Sequence, residues 1–137
     1  MIQANELRIG NKVMFKGDAG TYTVLGVPAW GMDGNGDGKE PLILIDRCHK
    51  QIVPESKLRP IPISPEILEK AGFSNQKLDD WEVFAYEDTP ICAHWDGVEW
   101  CFKYGYDSDL TFAACEFVHQ LQNLIFALTN KDIILKF

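Results

Sequence analysis

The stretch ICAHWDGVEWCFKY, residues 91–104, decides the fold. Two runs of β-forming residues flank Asp96 and Gly97, and an Asp-Gly pair supplies the positive φ angles of a two-residue type I′ turn. The stretch therefore reads as a tight antiparallel hairpin. In that register Trp95 pairs with Val98, His94 with Glu99, Ala93 with Trp100 and Cys92 with Cys101. Side chains alternate along a strand, so Ala93, Trp95, Val98, Trp100 and Phe102 share an apolar face, while Cys92, His94, Glu99, Cys101 and Lys103 share the other. The run from Trp81 to Tyr86 is expected to join the same sheet.

Downstream, Ala114, Phe117, Val118, Leu121, Leu124, Ile125 and Leu128 recur at steps of three and four, which predicts an amphipathic helix over 113–128 packed on that sheet. Asn130 suits a left-handed stop, and Ile133 to Leu135 reads as a last strand. Upstream, Ser64 is placed to cap a short helix with Pro65 at its first position, Glu66 near its positive end and Gly72 as a left-handed terminator. Alternating Pro60 and Pro62 hold the preceding segment extended and mark a junction. Before it, short β-like runs at 12–15, 21–27, 42–45 and 51–53 are separated by Gly-containing or polar turns with no helix between them. The expected architecture is α+β: an SH3-like small β-barrel over 1–62, followed over 63–137 by an antiparallel sheet covered by one long helix.

The chain has 137 residues, 46% hydrophobic and 24% charged, the balance of a globular protein with a real core. No run approaches the roughly 18 apolar residues of a membrane span, and the first ten residues lack a basic segment followed by an apolar one, so a cytoplasmic location is expected. The four cysteines are sparse and irregular for a disulfide framework and read as free thiols. Residues 1–62 carry 8 Lys/Arg against 7 Asp/Glu, whereas residues 63–137 carry 5 against 13. Phosphate backbones are held by clustered cations, which makes nucleic acid a minority reading, confined to Lys12, Lys16, Arg47, Lys50, Lys57 and Arg59.

Three groupings bear on chemistry. Asp33, Asn35 and Asp37, at alternate positions in a glycine-rich loop, can curl oxygens around a calcium ion, with Glu40 or Asp46 needed to complete the shell. The closing Glu of an EF-hand loop is replaced by Leu44, and glycine with Asp and Asn is also what a hairpin tip uses, so the plain turn is preferred. Cys92, His94 and Cys101, with Glu99, share one hairpin face and offer zinc-type ligands. They lack the paired Cys-x-x-Cys knuckles of a zinc site, and a buried or surface role for them is preferred. Cys115 and His119, four apart, have the spacing of a nucleophile and base on one helix, without an orienting third group. There is no nucleophile elbow, phosphate loop or dinucleotide fingerprint.

The predicted long helix is unusual in another way. Its outer face shows His119, Gln120, Gln122 and Asn123 beside Phe126 and carries no formal charge between Glu116 and Lys131. Solvated helices usually carry charges, so this face is a candidate contact for a partner chain or for the other module, with partial solvent exposure as the alternative. Trp30 is a further aromatic anchor candidate, with burial preferred.

Residues 5–11 (NELRIGN), Pro60 to Ile63 with Gly72 and Phe73, and residues 118–124 (VHQLQNL) together resemble a family of small uncharacterised proteins from Bacteroides-type gut bacteria and their prophages and mobile elements. The resemblance implies a bacterial cytoplasmic or phage-related accessory protein and brings no catalytic residues or cofactor with it. The expected function is a non-enzymatic binding or adaptor module that engages a protein partner or itself. The alternative is a metal-binding protein, a hydrolase included, built on the Asp33 loop or the Cys92 face.

Overall fold

The structure is a computed structural model and describes residues 2–3, 6–26, 41–78, 81–105, 110–133 and 135, with residues 77, 78 and 81 as backbone only. It is α+β, with two antiparallel five-stranded sheets and one main helix near the C-terminus. The chain divides into two compact units: residues 1–61 with 117–132 and 137, and residues 62–116 with 133–136.

In the first unit β1 (Lys12–Phe15), β2 (Thr21–Gly26), β3 (Leu42–Ile45) and β4 (Gln51–Pro54) form a meander. A 3₁₀ turn at Glu55–Lys57 then brings β5 (Leu58–Arg59) back beside β1, in the order β4-β3-β2-β1-β5. The sheet is an open half-barrel with β4 and β5 at its ends. Ile2, Leu7, Val13, Val24, Ile43, Ile45, Val53 and Leu58 form its core. The turn after β1 is held by Asp18, whose carboxylate accepts the Gly20 amide and the Tyr22 hydroxyl and pairs with Arg47 at 3.3 Å. Those bonds, the Tyr22 one foremost, hold the Asp18 carboxyl below its usual range.

The main helix α2 (Val118–Thr129) belongs to this unit. The sequence pattern placed the helix over 113–128 and on the second sheet, and both expectations are corrected. Thr111 to Cys115 is a strand laddered to its neighbour, because two small alanines in an apolar repeat fit either period, and strand pairing decides it. The Phe117 amide donates to Gln120 Oε1 at 3.1 Å, half of a capping box, which starts the helix at Val118. Asn130 ends it in the left-handed conformation at φ 57°, as its position implied.

The second unit opens with α1 (Pro65–Lys70), built as its residues foretell. Ser64 Oγ accepts the Ile67 amide, Pro65 occupies the first turn, and Gly72 turns the chain at φ 106°. Strands β6 (Phe73–Leu78), β7 (Trp81–Tyr86), β8 (Ile91–Trp95), β9 (Trp100–Tyr104) and β10 (Thr111–Cys115) follow, in the order β10-β9-β8-β7-β6. The β8–β9 hairpin forms in a register moved by two residues from the one expected: Trp95 pairs with Trp100, His94 with Cys101 and Ala93 with Phe102. Asp96 causes the shift. Its Oδ1 accepts the amides of Val98 and Glu99, both at 2.8 Å, and stabilises a four-residue loop in place of a two-residue turn. A two-residue slip preserves which side chains share a face, so the face assignment survives. Both faces are largely buried, including Cys92, Cys101 and Lys103 on the side expected to be polar. Ile133 and Leu135 are buried without a strand ladder among the described residues.

Candidate functional site

An aromatic groove on the second unit

The β7–β8 ladder pairs Phe84 with Ala93, and β8–β9 pairs Trp95 with Trp100. Carried two residues further, the first register brings Glu82 opposite Trp95, so Glu82, Trp95 and Trp100 form a row across three strands on one face. Trp100 is the buried member. Its ring meets Phe84 edge-on at 5.6 Å, and its indole N–H donates to Ile63 O at 3.3 Å, tying the sheet to the segment that leads into α1. The Trp95 ring tilts against it with centroids 5.5 Å apart and stays 51% exposed.

The exposure has a geometric cause. A six-residue helix is about 9 Å long, whereas a six-residue strand reaches about 20 Å, so α1 cannot cover the length of β6, the strand it packs on. What is left open is a groove of about 350 Å³ lined by Ile63, Ser64, Pro65, Glu82, Trp95 and Trp100. Its walls are indole, proline and isoleucine, and its ionisable group is the exposed Glu82 carboxylate. The Ser64 hydroxyl oxygen already accepts the helix-capping bond. An apolar cleft with a carboxylate among its lining groups has the make-up of a ligand-binding site.

Where the other candidates lie

Asp33, Asn35 and Asp37, together with Glu40 and Trp30, lie outside the described residues. Cys92, His94 and Cys101 share a face as expected, but the altered register sets His94 opposite Cys101 and Cys92 opposite Lys103. Burial raises the Cys92 thiol. It also raises Cys101, with a further push from the neighbouring Asp96 carboxylate, and it lowers His94. Cys92 donates to Pro90 O, and Cys101 to Asp96 Oδ2.

Among the described residues the group whose ligand atoms come within 4.8 Å of one another is Asp96, Glu99 and Cys101. Asp96 is already occupied as the loop anchor, and its two amide bonds hold its carboxyl below the usual range. Cys115 ends β10 while His119 sits in α2, so the two do not share a helix. Burial pushes the Cys115 thiol up to about 12, the reverse of an activated nucleophile.

The uncharged face of α2 has a role within the first unit. Gln122, 3% exposed, accepts the Lys12 amide at 2.8 Å and donates to Gly10 O at 3.1 Å. Asn123 accepts from Arg8 Nε and Asn11 Nδ2, both at 3.0 Å, and donates to Glu6 O at 2.6 Å. Arg8 also lies over the Phe126 ring at 4.1 Å. His119, 1% exposed, sets Nε2 3.2 Å from Glu6 Oε2. Its Nδ1 is buried with no hydrogen-bond partner among the described residues. Burial lowers its pKa against the opposing pull of Glu6. Amides provide a donor and an acceptor together, which suits the backbone N–H of Lys12 and the carbonyls of Glu6 and Gly10 that they bond. The face expected to meet a partner chain or the other module therefore meets residues 6–12, and Gln120 is engaged as a helix cap.

Of the six cations named in the first unit, Arg47 pairs with Asp18 and bonds Gln51, and Lys12 Nζ donates to Thr23 at 2.6 Å. No described helix is long and apolar enough to cross a membrane.

No family model, curated protein or solved structure matches this chain. The site consequently rests on its own geometry. The groove was half visible in the sequence, since Trp95 and Trp100 fall on one hairpin face. The missing signal was the shortness of α1, stopped at Gly72, set against the strand length it faces.

Proposed function

We propose that this protein is a non-enzymatic binding module whose recognition surface is the Trp95–Trp100 groove of the second unit. The observation that carries the reading is Trp95, half exposed on a rigid strand beside a second tryptophan. Aromatic anchors on rigid elements supply large contact area at low entropic cost, and they dominate binding energies. The open groove supports binding, and the raised thiol of Cys115, on a strand rather than on the helix of His119, weighs against the nucleophile alternative. The partner class proposed is protein or peptide.

The same proposal takes the first unit as an SH3-like module, supported by its five-stranded meander in which the last strand returns beside the first after a 3₁₀ turn. It also places the protein among bacterial cytoplasmic accessory proteins, supported by the resemblance of residues 5–11, 60–63 and 118–124.

A peptide array probed with wild-type protein and with Trp95→Ala tests the reading. Spots retained by wild type and lost by the variant are the expected result. An array on which the two proteins give the same pattern would overturn the groove as the recognition surface.

A further inference from the structure

Resting on the groove being the recognition surface, the next inference concerns its occupant. We propose that the groove takes the lysine or arginine side chain of a basic peptide segment. Three independent features point to a cation.

The first is the pair of indoles. An aromatic ring is electronegative over its face, and tryptophan is the strongest of the three aromatic types in attracting an ammonium or guanidinium. Trp95 leaves half of its surface open, and the Trp100 ring lies against it with centroids 5.5 Å apart. The second is the polar inventory. Glu82 brings an exposed carboxylate, an acceptor that calls for a donor. The N–H of the buried indole is already given to Ile63 O, and the Ser64 oxygen accepts the capping bond of α1, so the charged group left in the lining is the Glu82 acceptor. The third is the field. Residues 62–116 carry 12 Asp/Glu against 3 Lys/Arg, a count that includes Lys77, the cross-strand neighbour of Glu82. Such a surface steers cations inward and repels acidic peptides and phosphate backbones.

The groove opens to solvent beside the exposed Pro65, so a peptide main chain can lie outside while one side chain enters. The methylenes of that side chain cover Ile63 and Pro65 as its head reaches Glu82, the division of labour that long basic side chains favour.

Fluorescence anisotropy with the full chain tests this, using four labelled peptides of equal length in a Gly/Ser frame, with central lysines, arginines, norleucines or prolines. The lysine and arginine peptides are expected to bind, more weakly as salt rises, and the norleucine peptide about tenfold more weakly than lysine. Trp95→Ala is expected to weaken the lysine peptide about tenfold, Trp95→Phe less, and Glu82→Gln about two- to fivefold. Both positions are at the surface, and unchanged far-UV circular dichroism confirms folding of each variant.

Equal or better binding of the norleucine or proline peptide, lost in Trp95→Ala, would overturn the cationic occupant and leave the groove reading standing. Basic peptides bound equally by wild type, Trp95→Ala and Glu82→Gln would overturn both, locating the binding on diffuse acidic surface. Absence of binding by all four peptides would overturn the cationic occupant, and the array would then decide the groove reading by itself.

Discussion

Gln122→Met keeps the length of a buried side chain and deletes its two polar ends. In the native protein those ends serve the Lys12 amide at 2.8 Å and the Gly10 carbonyl at 3.1 Å. Leaving a buried donor or acceptor without its partner costs about 1–3 kcal/mol per group. Methionine returns about 1 kcal/mol through its more apolar end. The net loss expected is about 1–5 kcal/mol, a large share of the roughly 5–15 kcal/mol that holds a domain together. Urea denaturation followed by far-UV circular dichroism measures it, as a lowered midpoint at constant slope. Faster amide exchange at Lys12 should accompany the loss, because that N–H is the one deprived. A change under about 0.5 kcal/mol, the size of an ordinary surface substitution, would refute the claim that the polar face of α2 exists to satisfy residues 6–12.

Other outcomes follow from the same structure. Asn130→Ala forces a Cβ-bearing residue with no local side-chain bond into the left-handed cap at φ 57° and should cost about 1 kcal/mol, read as a lower melting temperature. Ser64→Ala removes the cap of α1 and should cost a similar amount, about 1 kcal/mol. Burial lowers the pKa of His119 below its ordinary 6.5, so its contribution is complete above that value and is lost as pH falls through the folded-state pKa. Denaturation midpoints should accordingly drop between neutral and mildly acidic pH, and less so in His119→Gln. Cys48 is exposed while Cys92, Cys101 and Cys115 are buried, so a thiol reagent should label the native protein quickly at one cysteine and label the rest only in denaturant.

Legibility in the sequence followed the range of the forces involved. Helix α1 could be read residue by residue, because Ser64, Pro65 and Gly72 act within two turns of one another. Hairpin faces could be read because alternation is local, but the register could not. It turned on whether the Asp96 carboxylate would bond the Val98 and Glu99 amides, a choice the Asp-Gly pair leaves open. The uncharged face of α2 was singled out as a contact for a partner chain or for the other module, and the contacts found are with residues 6–12. Composition shows that Gln122 and Asn123 want bonds, whereas only the fold shows that backbone groups of Glu6, Gly10 and Lys12 provide them. Helix 118–129 likewise shows its apolar period in sequence without showing which sheet it serves. The groove needed two lengths compared, one of a helix and one of the strands beneath it, and neither alone signals a site.

The most direct test of the groove is a nitrogen-15 correlation spectrum of the full chain titrated with the lysine peptide. The account expects the largest shifts at the Trp95 and Trp100 indoles and at the amides of Ile63, Ser64 and Glu82, with the first unit unmoved. Shifts centred on the first sheet, or a saturating interaction that leaves the Trp95 indole where it was, would contradict it.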